Sequence, residues 1–506
     1  MRNFFRLGLI LMMVCAMAFS AGAEGMILIN EELEPKTQVE TLAMLASVID
    51  GYFQDPAIYA ELNEEITRTE LKDPFGEDEN MVLNICTLTH QGQTMRFLMD
   101  QIGDADENGR YPLYITLHGG GEDAPENNDG QWFSMYDYYR ESVQSGIYIA
   151  CRGITDTWDL HFRPESYPLY DRLIQAMIYL YHADPDRVYL LGFSAGGDGV
   201  YQITPRMTDR FAAANMSSGH PNGISLLNLA NCPFSIQVGV RDYYTENVLR
   251  CIRGAEFEKV LSDYHDEYGF GYEHQVLVHV PAGHNYDDYT DPELYELTAE
   301  QAESMASEVL ADPTAYADPS IVEGMMEQFE QAMESTTGTY SISNLSYYSE
   351  GLTPAFDEAV RKIVKEDYQL ETKRVNASAV HYVSQFTRKS APETVIWDLN
   401  TRAALRDVTS FYWLKADASV TQGTIVASID SDNNTVTVTP ENVNGDFSIL
   451  VNPTLLDVSQ PIHIETPDGS FDVMVHPSEE TMLASLMETG DPFLTWVAEI
   501  PYSLLQ

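Results

Sequence analysis

Between residues 110 and 285, short apolar runs alternate with longer stretches of helical pattern, and this alternation is the strongest constraint on the fold. The runs lie at 113–117, 146–151, 188–191, 211–216, 234–238 and 275–280, and two of the helices are expected at 167–182 and 245–268. Short buried strands that alternate with helices predict a mainly parallel sheet covered on both faces. Ligand sites in such sheets lie at the carboxyl ends of the strands.

The N-terminus has the pattern of an export signal. Arg2 and Arg6 precede an apolar run at 7–19, and Ala21-Gly22-Ala23 supplies small residues for cleavage. The run is too short to span a bilayer comfortably, which disfavours the alternative of a membrane anchor. We therefore expect a signal peptide at 1–23 and a secreted protein, either extracellular or periplasmic.

At 506 residues the chain exceeds one ordinary domain. Changes of pattern divide the rest into a helical segment at 24–75, an α/β domain at 76–286, an acidic helical insertion at 287–379 and a smaller β-rich domain at 380–506. The last domain is expected to be antiparallel, with one helix that begins at the N-cap Ser478 and ends before Gly490.

Aromatic residues are concentrated in the β-rich domain. Trp397, Phe411, Tyr412 and Trp413 provide more aromatic area than a solvated domain would expose. We therefore expect this domain to be docked rather than freely tethered. A carbohydrate-binding face is the alternative.

Charge and cysteine content exclude several classes of function. The formal net charge is −50, a field that repels phosphate backbones and anionic lipid headgroups, so nucleic-acid and membrane partners are not expected. Cys86, Cys151, Cys232 and Cys251 follow the signal, and none forms a CxxC pair. An oxidising compartment allows one or two disulfides among them, with the pairing open, and no metal site is indicated.

The central chemical signal is Gly192-x-Ser194-x-Gly196, which follows one of the apolar runs and precedes a helix-compatible segment. This is the context of a nucleophile elbow, in which a strained turn presents the serine hydroxyl and larger side chains in place of the glycines would collide. We therefore expect Ser194 to be a nucleophile. A glycine-rich turn with a solvated serine is the alternative.

A second glycine run follows the strand expected at 113–117. In His118-Gly119-Gly120-Gly121 the small residues let backbone N–H groups approach a reacting carbonyl. We assign the oxyanion hole to the N–H of Gly120 or Gly121 together with that of Ala195.

The acid and the base are assigned from chain order and strand ends. Asp242 follows the run at 234–238, and His284 follows the run at 275–280. The chain order is therefore nucleophile, acid and base, the order that accompanies a nucleophile elbow. His118 and His220 come too early in the chain, and His279 lies in a strand. The predicted triad is Ser194, Asp242 and His284.

Other side chains are candidates for a substrate pocket. Trp158 and His161 lie in a loop after the run at 146–151, and His220 follows the run at 211–216. His118 precedes the oxyanion glycines. Loop packing is an equal alternative for these residues.

The stretch 186–223, with the glycine run at 118–121, resembles secreted α/β-hydrolases related to esterase D, feruloyl esterases and polyhydroxybutyrate depolymerases. The resemblance covers most of 110–285 and 380–500, and it assigns the site to Ser194, Asp242 and His284. The acidic segment between these regions departs from the pattern. The resemblance implies the α/β-hydrolase fold with an insertion and a β-rich C-terminal domain.

These observations predict a carboxylic-ester hydrolase that works through an acyl-serine intermediate without a cofactor, on a small-molecule or polymer ester. A serine peptidase of the prolyl-oligopeptidase type is an alternative, because the same triad cleaves amides. A binding protein on a vestigial hydrolase scaffold is a third hypothesis, which the complete set of three residues disfavours.

Overall fold

The computed structural model describes residues 26–72, 82–239, 242–244, 248–279, 284, 286, 294–296, 378–405 and 408–506. The chain divides into two compact units. The β unit comprises Met1–Asp55, Ala391–Asn400 and Thr409–Gln506, and the α/β unit comprises Pro56–Ser390 and Thr401–Val408. In the described ranges no helix is long and apolar enough to cross a membrane. The predicted signal peptide at 1–23 lies outside these ranges.

The elements alternate as the sequence pattern predicts. The β unit begins with β1 (Met26–Ile29) and α1 (Gln38–Gln54). The α/β unit contains α2 (Pro56–Glu65), β2 (Ile66–Lys72), β3 (Val82–His90), β4 (Gln93–Ile102), β5 (Tyr111–Leu117), α3 (Pro125–Tyr138), β6 (Gly146–Cys151), α4 (Ser166–Tyr181), β7 (Ala183–Phe193), α5 (Ala195–Ile203), β8 (Ala213–Ser217), β9 (Phe234–Gly239), β10 (Tyr243–Tyr244), β11 (Val248–Leu249), α6 (Arg250–Tyr268), β12 (His274–His279), β13 (Leu294–Glu296) and α7 (Ala379–Val383).

The β unit continues after α7. Its elements are β14 (Thr394–Asp398), β15 (Ser410–Phe411), β16 (Leu414–Ala416), β17 (Thr424–Asp430), β18 (Thr435–Glu441), β19 (Phe447–Val451), β20 (Ile462–Thr466), β21 (Gly469–Val475), α8 (Glu479–Thr489) and β22 (Ala498–Pro501). Short 3-10 turns join several of these elements, among them Thr204–Arg206, Thr208–Arg210 and Leu227–Asn231 in the α/β unit.

One ten-stranded sheet forms the centre of the α/β unit, in the order β13-β12-β9-β8-β7-β5-β6-β4-β3-β2. The six strands from β12 to β6 run parallel, whereas β2, β3 and β4 form an antiparallel extension at one edge. Every residue of β6 is buried, which means that both faces of the sheet are covered. Helices α4, α5 and α6 pack against the parallel strands.

This architecture confirms the predicted α/β-hydrolase fold for the described part of the chain. The parallel strands place six loops at one edge of the sheet, because the carboxyl ends of parallel strands lie side by side. The loop after β5 carries the glycine run, and the turn after β7 carries Ser194. Asp242 follows β9, and His284 follows β12. The fold thus brings residues from distant parts of the sequence to one rim.

The β unit contains two sheets. Its six-stranded sheet has the order β1-β21-β20-β18-β17-β14, and its four-stranded sheet has the order β15-β16-β19-β22. The expectation of an antiparallel domain needs correction, because β1 pairs with β21 in parallel and β18 pairs with β20 in parallel. The helix predicted after Ser478 is confirmed: the Ser478 side chain caps it, and Gly490 ends it in the left-handed conformation.

The aromatic residues of the β unit lie in its own core. Trp397, Phe411, Tyr412 and Trp413 are buried in one apolar cluster, and Trp397 stacks on Phe411 with ring centroids 5.3 Å apart. The four rings therefore do not form an exposed carbohydrate-binding face. Tyr412 has a φ of 51° and lies in the tight turn between β15 and β16.

The described elements divide the chain differently from the sequence pattern. The segment at 24–75, expected to be helical, has a strand at each end, and residues from Pro56 onward belong to the α/β unit. Conversely, residues 380–390, expected in the β-rich domain, belong to the α/β unit. The helix expected from residue 245 begins at Arg250. Most of the acidic segment at 287–379 lies outside the described residues.

Three of the four cysteines that follow the predicted signal peptide have described side chains. Cys86, Cys151 and Cys232 are buried free thiols, so no disulfide joins any two of them. Burial raises the pKa of each of these thiols, which opposes formation of the reactive thiolate.

Candidate active site

Ser194 occupies a sharp turn between β7 and α5. Its backbone has φ 57° and ψ −120°, a conformation that side-chain-bearing residues rarely adopt. The Ser194 N–H donates to the Ser217 carbonyl at 2.9 Å, and the Ser194 carbonyl accepts from the Asp198 N–H at 2.9 Å. Strain of this kind costs about 1–3 kcal/mol and persists only where the surroundings enforce it.

Glycines make this turn sterically feasible. A Cβ on Gly192 would lie 2.2 Å from the Gly196 carbonyl oxygen, and a Cβ on Gly196 would lie 1.9 Å from the Leu117 carbonyl oxygen. A Cβ on Gly197 would meet the Ser217 carbonyl oxygen at 2.7 Å. Real side chains do not fit at these distances. The turn can therefore fold on itself, and the ends of β5 and β8 can approach it, only because these three residues are glycines. The crowding that the motif predicts is therefore present.

Ser194, His284 and Asp242 form a continuous hydrogen-bonded chain. The Ser194 Oγ lies 2.9 Å from the His284 Nε2, and the His284 Nδ1 lies 2.9 Å from the Asp242 Oδ1. Asp242 is 0% exposed. Since a carboxylate only accepts, Nδ1 carries the proton and Nε2 is left to accept the proton of the Ser194 hydroxyl.

Residues from neighbouring loops fix the position of His284. The Ser218 hydroxyl donates to the His284 carbonyl at 3.1 Å. The rings of Phe193 and His284 lie 5.3 Å apart, and Tyr138 donates to the Tyr286 carbonyl at 3.1 Å. Tyr286 in turn donates to the Gln237 carbonyl at 2.8 Å. These bonds attach the loop after β12 to the ends of β7, β8 and β9.

The Asp242 carboxylate has a second partner. The Arg250 Nη1 donates to the Asp242 Oδ1 at 2.8 Å, and the Arg250 backbone N–H donates to the Asp242 carbonyl at 2.9 Å. Among the described residues, the other carboxylate oxygen, Oδ2, has no hydrogen-bond partner. The acid is therefore held by a histidine on one side and a buried arginine on the other.

The glycine run after β5 lies against Ser194. A Cβ on Gly119 would lie 3.2 Å from the Ser194 Cβ, and a Cβ on Gly121 would lie 4.0 Å from the Ala195 Cβ. Gly120 and Gly121 have φ values of 106° and 127°, which only glycine adopts readily. The loop thus presents its backbone to the serine.

The two alternatives for the oxyanion donor are distinguished by a buried asparagine. The Gly121 N–H donates to the Asn128 Oδ1 at 3.0 Å, so it is already engaged. In the described residues neither the Gly120 N–H nor the Ala195 N–H donates to another group. These two N–H groups are the pair that geometry leaves for an oxyanion.

Asn128 connects the glycine run to a network of charges. Its Nδ2 donates to the Gly121 carbonyl at 2.9 Å and to the Asp156 Oδ1 at 3.0 Å. Arg152 also bonds Asp156, and its Nε donates to the Asp129 Oδ1 at 2.7 Å. A Cβ on Gly120 would lie 2.2 Å from the Asn128 Oδ1, so this packing also requires glycine.

His118 and His161, predicted as pocket residues, instead support the loops from beneath. Both are fully buried, and their rings lie 4.7 Å apart, edge to face. The Gly153 N–H donates to the His118 Nε2 at 3.0 Å, while His118 Nδ1 bonds the Gly119 carbonyl. His161 Nε2 bonds the His118 carbonyl at 2.9 Å. Their ring nitrogens are occupied, so neither faces a substrate.

Both histidines are held neutral. Burial, followed by the proximity of His161, lowers the pKa of His118 well below the usual value. Burial lowers the pKa of His161 to about 3, although its bond to the His118 carbonyl opposes the shift. The neutral rings fit their bonds, because the His118 Nε2 acts as an acceptor and a protonated ring has none.

Trp158 and His220 lie where a substrate could reach them. Trp158 is 52% exposed, its ring meets Phe162 edge to face at 5.2 Å, and its Cα would lie 3.5 Å from a Cβ on Gly121. His220 is half-buried, and its Nδ1 lies 2.8 Å from the Asn222 Oδ1. Both stay candidates for substrate contact.

Asp198, four residues after Ser194, is a second carboxylate at the elbow. It accepts from the His220 N–H and from the Asn222 Nδ2, the latter at 3.0 Å. Burial raises the pKa of Asp198 to about 6, although the charge of Arg250 and these hydrogen bonds oppose the shift. Asp198 therefore changes its charge in the pH range where histidines usually do.

Sequence reasoning missed Asn128, Arg250 and Asp198. Asp198 lies two residues after the glycine motif, in the first turn of the helix that follows Ser194, and this acidic residue so close to the serine is a signal in the sequence. Asn128 and Arg250 belong to no motif, because each acts through a bond that forms only when two loops meet in the fold. In the parts of the chain that are described, no cluster of three or more metal-ligating side chains occurs.

The buried histidine pair predicts a loss of stability in acid. Between about pH 6.5 and pH 3 the unfolded chain protonates His161 and the folded chain does not, so the free energy of unfolding falls as the pH is lowered. In His161→Gln, whose amide can still donate to the His118 carbonyl, this dependence should weaken by up to about 1.4 kcal/mol per pH unit. Urea unfolding at several pH values measures it, and an unchanged slope would contradict the assignment.

Comparison with known proteins finds similarity only among solved structures. No protein-family model matches the chain, and no curated protein sequence matches it. A thermostable esterase is 18% identical, with a TM-score of 0.29, over 44% of this chain and 56% of its own length, which is less than two thirds. The poly(3-hydroxybutyrate) depolymerase LpqC from Bordetella parapertussis is 15% identical, with a TM-score of 0.33, over 46% of this chain and 89% of its own.

The S-formylglutathione hydrolase FrmB from Staphylococcus aureus is 16% identical, with a TM-score of 0.26, over 44% of this chain and 90% of its own. The order of the ten-stranded sheet and the strained turn between β7 and α5 give the described part of the chain the α/β-hydrolase fold.

Proposed function

We propose that this protein is a secreted serine hydrolase that cleaves carboxylic esters through an acyl-serine intermediate. The observation that carries the proposal is the unbroken chain from Ser194 Oγ through His284 to Asp242, with both distances at 2.9 Å. A serine at a strained turn, a base that accepts its proton and an acid that orients the base are the three parts that acyl transfer requires.

Each residue has a defined role in the reaction. His284 Nε2 takes the proton as Ser194 Oγ attacks the ester carbonyl, and the negative charge that forms on the carbonyl oxygen is bound by the N–H groups of Gly120 and Ala195. The imidazolium then gives its proton to the departing alcohol. A water molecule, activated by the same imidazole, releases the acid and restores Ser194. No cofactor enters these steps.

The alternative of a vestigial binding scaffold is disfavoured by the cost of the arrangement. The turn at Ser194 is strained, and the Asp242 carboxylate is withdrawn from water. A chain released from catalysis gains stability by relaxing such features, because strain and buried charge are both costly. The same three residues can also cleave amides, so a serine peptidase is one outcome of the test below.

His284→Ala should lower kcat by about 10³-fold or more, because the hydroxyl of Ser194 loses the base that removes its proton. The measurement uses p-nitrophenyl esters of varied chain length beside aminoacyl and prolyl amides. We expect turnover of esters, with amides much slower. If amides are the better substrates, the protein is a peptidase. If wild type turns over neither class, the proposal fails.

His279→Ala is the matched control for this variant. His279 is buried in β12, bonds the Gln237 side chain at 2.9 Å and stacks on Tyr286 at 3.9 Å. Replacement of His279 should lower kcat far less than replacement of His284, because His284 bonds Ser194 and His279 bonds Gln237. Near-normal kcat in His284→Ala would place the base elsewhere.

Asn128→Ala should lower kcat by about 10- to 100-fold with little change in KM. The Asn128 side chain bonds both the N–H and the carbonyl of Gly121. Loss of these two bonds lets the adjacent Gly120 N–H leave its position. Displacement of a catalytic group by about 1 Å can cost about 10²-fold in rate. Steady-state kinetics on the best ester measures the effect.

Asn127→Ala is the control for this second variant. Asn127 is the neighbouring asparagine, but its side chain is exposed and bonds Asp123 at 2.9 Å rather than the glycine run. It should keep wild-type kcat. Equal activity in the two variants would show that the oxyanion donors do not depend on Asn128.

A further inference from the structure

Arg250 is joined to the candidate triad by two hydrogen bonds. Its side chain is 5% exposed, and the guanidinium lies 2.8 Å from the Asp242 Oδ1, the same oxygen that meets the His284 Nδ1 at 2.9 Å. The Arg250 N–H bonds the carbonyl of the same aspartate. One residue thus holds both the backbone and the side chain of Asp242.

The position of Arg250 is unfavourable for the helix that carries it. Arg250 is the first residue of α6, a helix of 19 residues with no acidic side chain in its first turn. The N-terminus of a helix has a partial positive charge and stabilises anions, so a cation there is repelled. The interaction with Asp242 offsets this repulsion, so Arg250 serves the candidate site rather than its own helix.

A buried carboxylate needs a counter-charge to stay ionised. Without one, desolvation favours the protonated acid, whereas an adjacent arginine favours the anion. An uncharged carboxyl would accept from the His284 Nδ1 more weakly than a carboxylate does, and it would stabilise the imidazolium less.

A second carboxylate lies near Arg250 and His284. Arg250 belongs to α6, and Asp198 belongs to α5. Asp198 is influenced by the charges of both Arg250 and His284. Its carboxylate, when ionised, partly balances the arginine. The base therefore works between one cation and two carboxylates.

We propose that Arg250 is a positioning residue of the triad: its two bonds to Asp242 hold the carboxylate at His284, and the guanidinium thereby extends activity to lower pH. This inference rests on the proposed function. It assigns to Arg250 no contact with the substrate.

Arg250→Gln tests the role through the pH dependence of kcat/KM. Arg250→Gln removes the counter-charge of the Asp242 carboxylate, so the triad should lose activity at a higher pH than in wild type. The midpoint of the acidic limb of the kcat/KM profile should therefore move upward by about one pH unit. Relative to wild type, the loss of kcat/KM below the wild-type midpoint should be about tenfold larger than the loss on the alkaline plateau. Arg250→Lys keeps a charge and should show a smaller shift, so it also serves if Arg250→Gln does not fold.

Arg388→Gln is the matched control for a general loss of stability. Arg388 is another buried arginine of the α/β unit, and it pairs with Asp186 at 2.8 Å in the first half of β7, far along the strand from Ser194. It should reduce thermal stability without moving the acidic limb. An unshifted limb in both Arg250 variants would overturn the inference, as would an equal shift in Arg388→Gln.

A second readout does not depend on turnover. The proton between His284 Nδ1 and Asp242 can be observed by NMR in protein labelled with ¹⁵N-histidine. We expect this resonance in wild type and in Arg388→Gln near pH 6, and its loss by exchange with water in Arg250→Gln. If wild type hydrolyses no ester or amide but the resonance depends on Arg250, the proposed function fails and the positioning role stands. If esters are hydrolysed but neither the resonance nor the acidic limb changes, only the role of Arg250 fails.

Discussion

The strained turn at Ser194 is the constraint on which the rest of the site depends. It holds the hydroxyl at the rim of the sheet because the turn folds tightly on itself at Gly192, while the backbone at the ends of β5 and β8 presses against Gly196 and Gly197 at distances that no side chain would allow. The same contacts bring the glycine run at 119–121 beside Ser194 and Ala195. The candidate nucleophile and the candidate oxyanion donors are therefore products of a single close approach of backbones at the ends of β5, β7 and β8.

A layer of buried polar groups supports this arrangement. Asn128 holds Gly121, Arg152 holds the loop that carries Asp156, and the neutral pair His118 and His161 fills the space beneath with every ring nitrogen in use. On the other side of the serine, Ser218 and Arg250 fix His284 and Asp242. Because buried polar groups are costly when a partner is lost, this layer resists small displacements, and that resistance keeps the reacting atoms in place.

The sequence was sufficient for the central sheet and for the candidate triad, since both follow from local pattern and chain order. The alternation of apolar runs with helices gives the parallel strands, and the run at 275–280 followed by Gly283-His284 singles out one histidine. It was insufficient where distant segments meet. Strand β1 pairs in parallel with β21 across more than four hundred residues, and nothing near Met26 signals that partner. Likewise, the position of His161 in a loop after a strand is typical of a pocket residue. Only its burial shows that it supports the backbone at His118 instead.

The most direct test of the central claim is covalent labelling of the full chain with a fluorophosphonate, followed by mass mapping of the modified peptide. Such probes react with a serine hydroxyl that a base has activated. We predict one probe per chain, attached to Ser194, and no labelling of a folded Ser194→Ala variant. Attachment at another residue, or undiminished labelling of Ser194→Ala, would contradict the account.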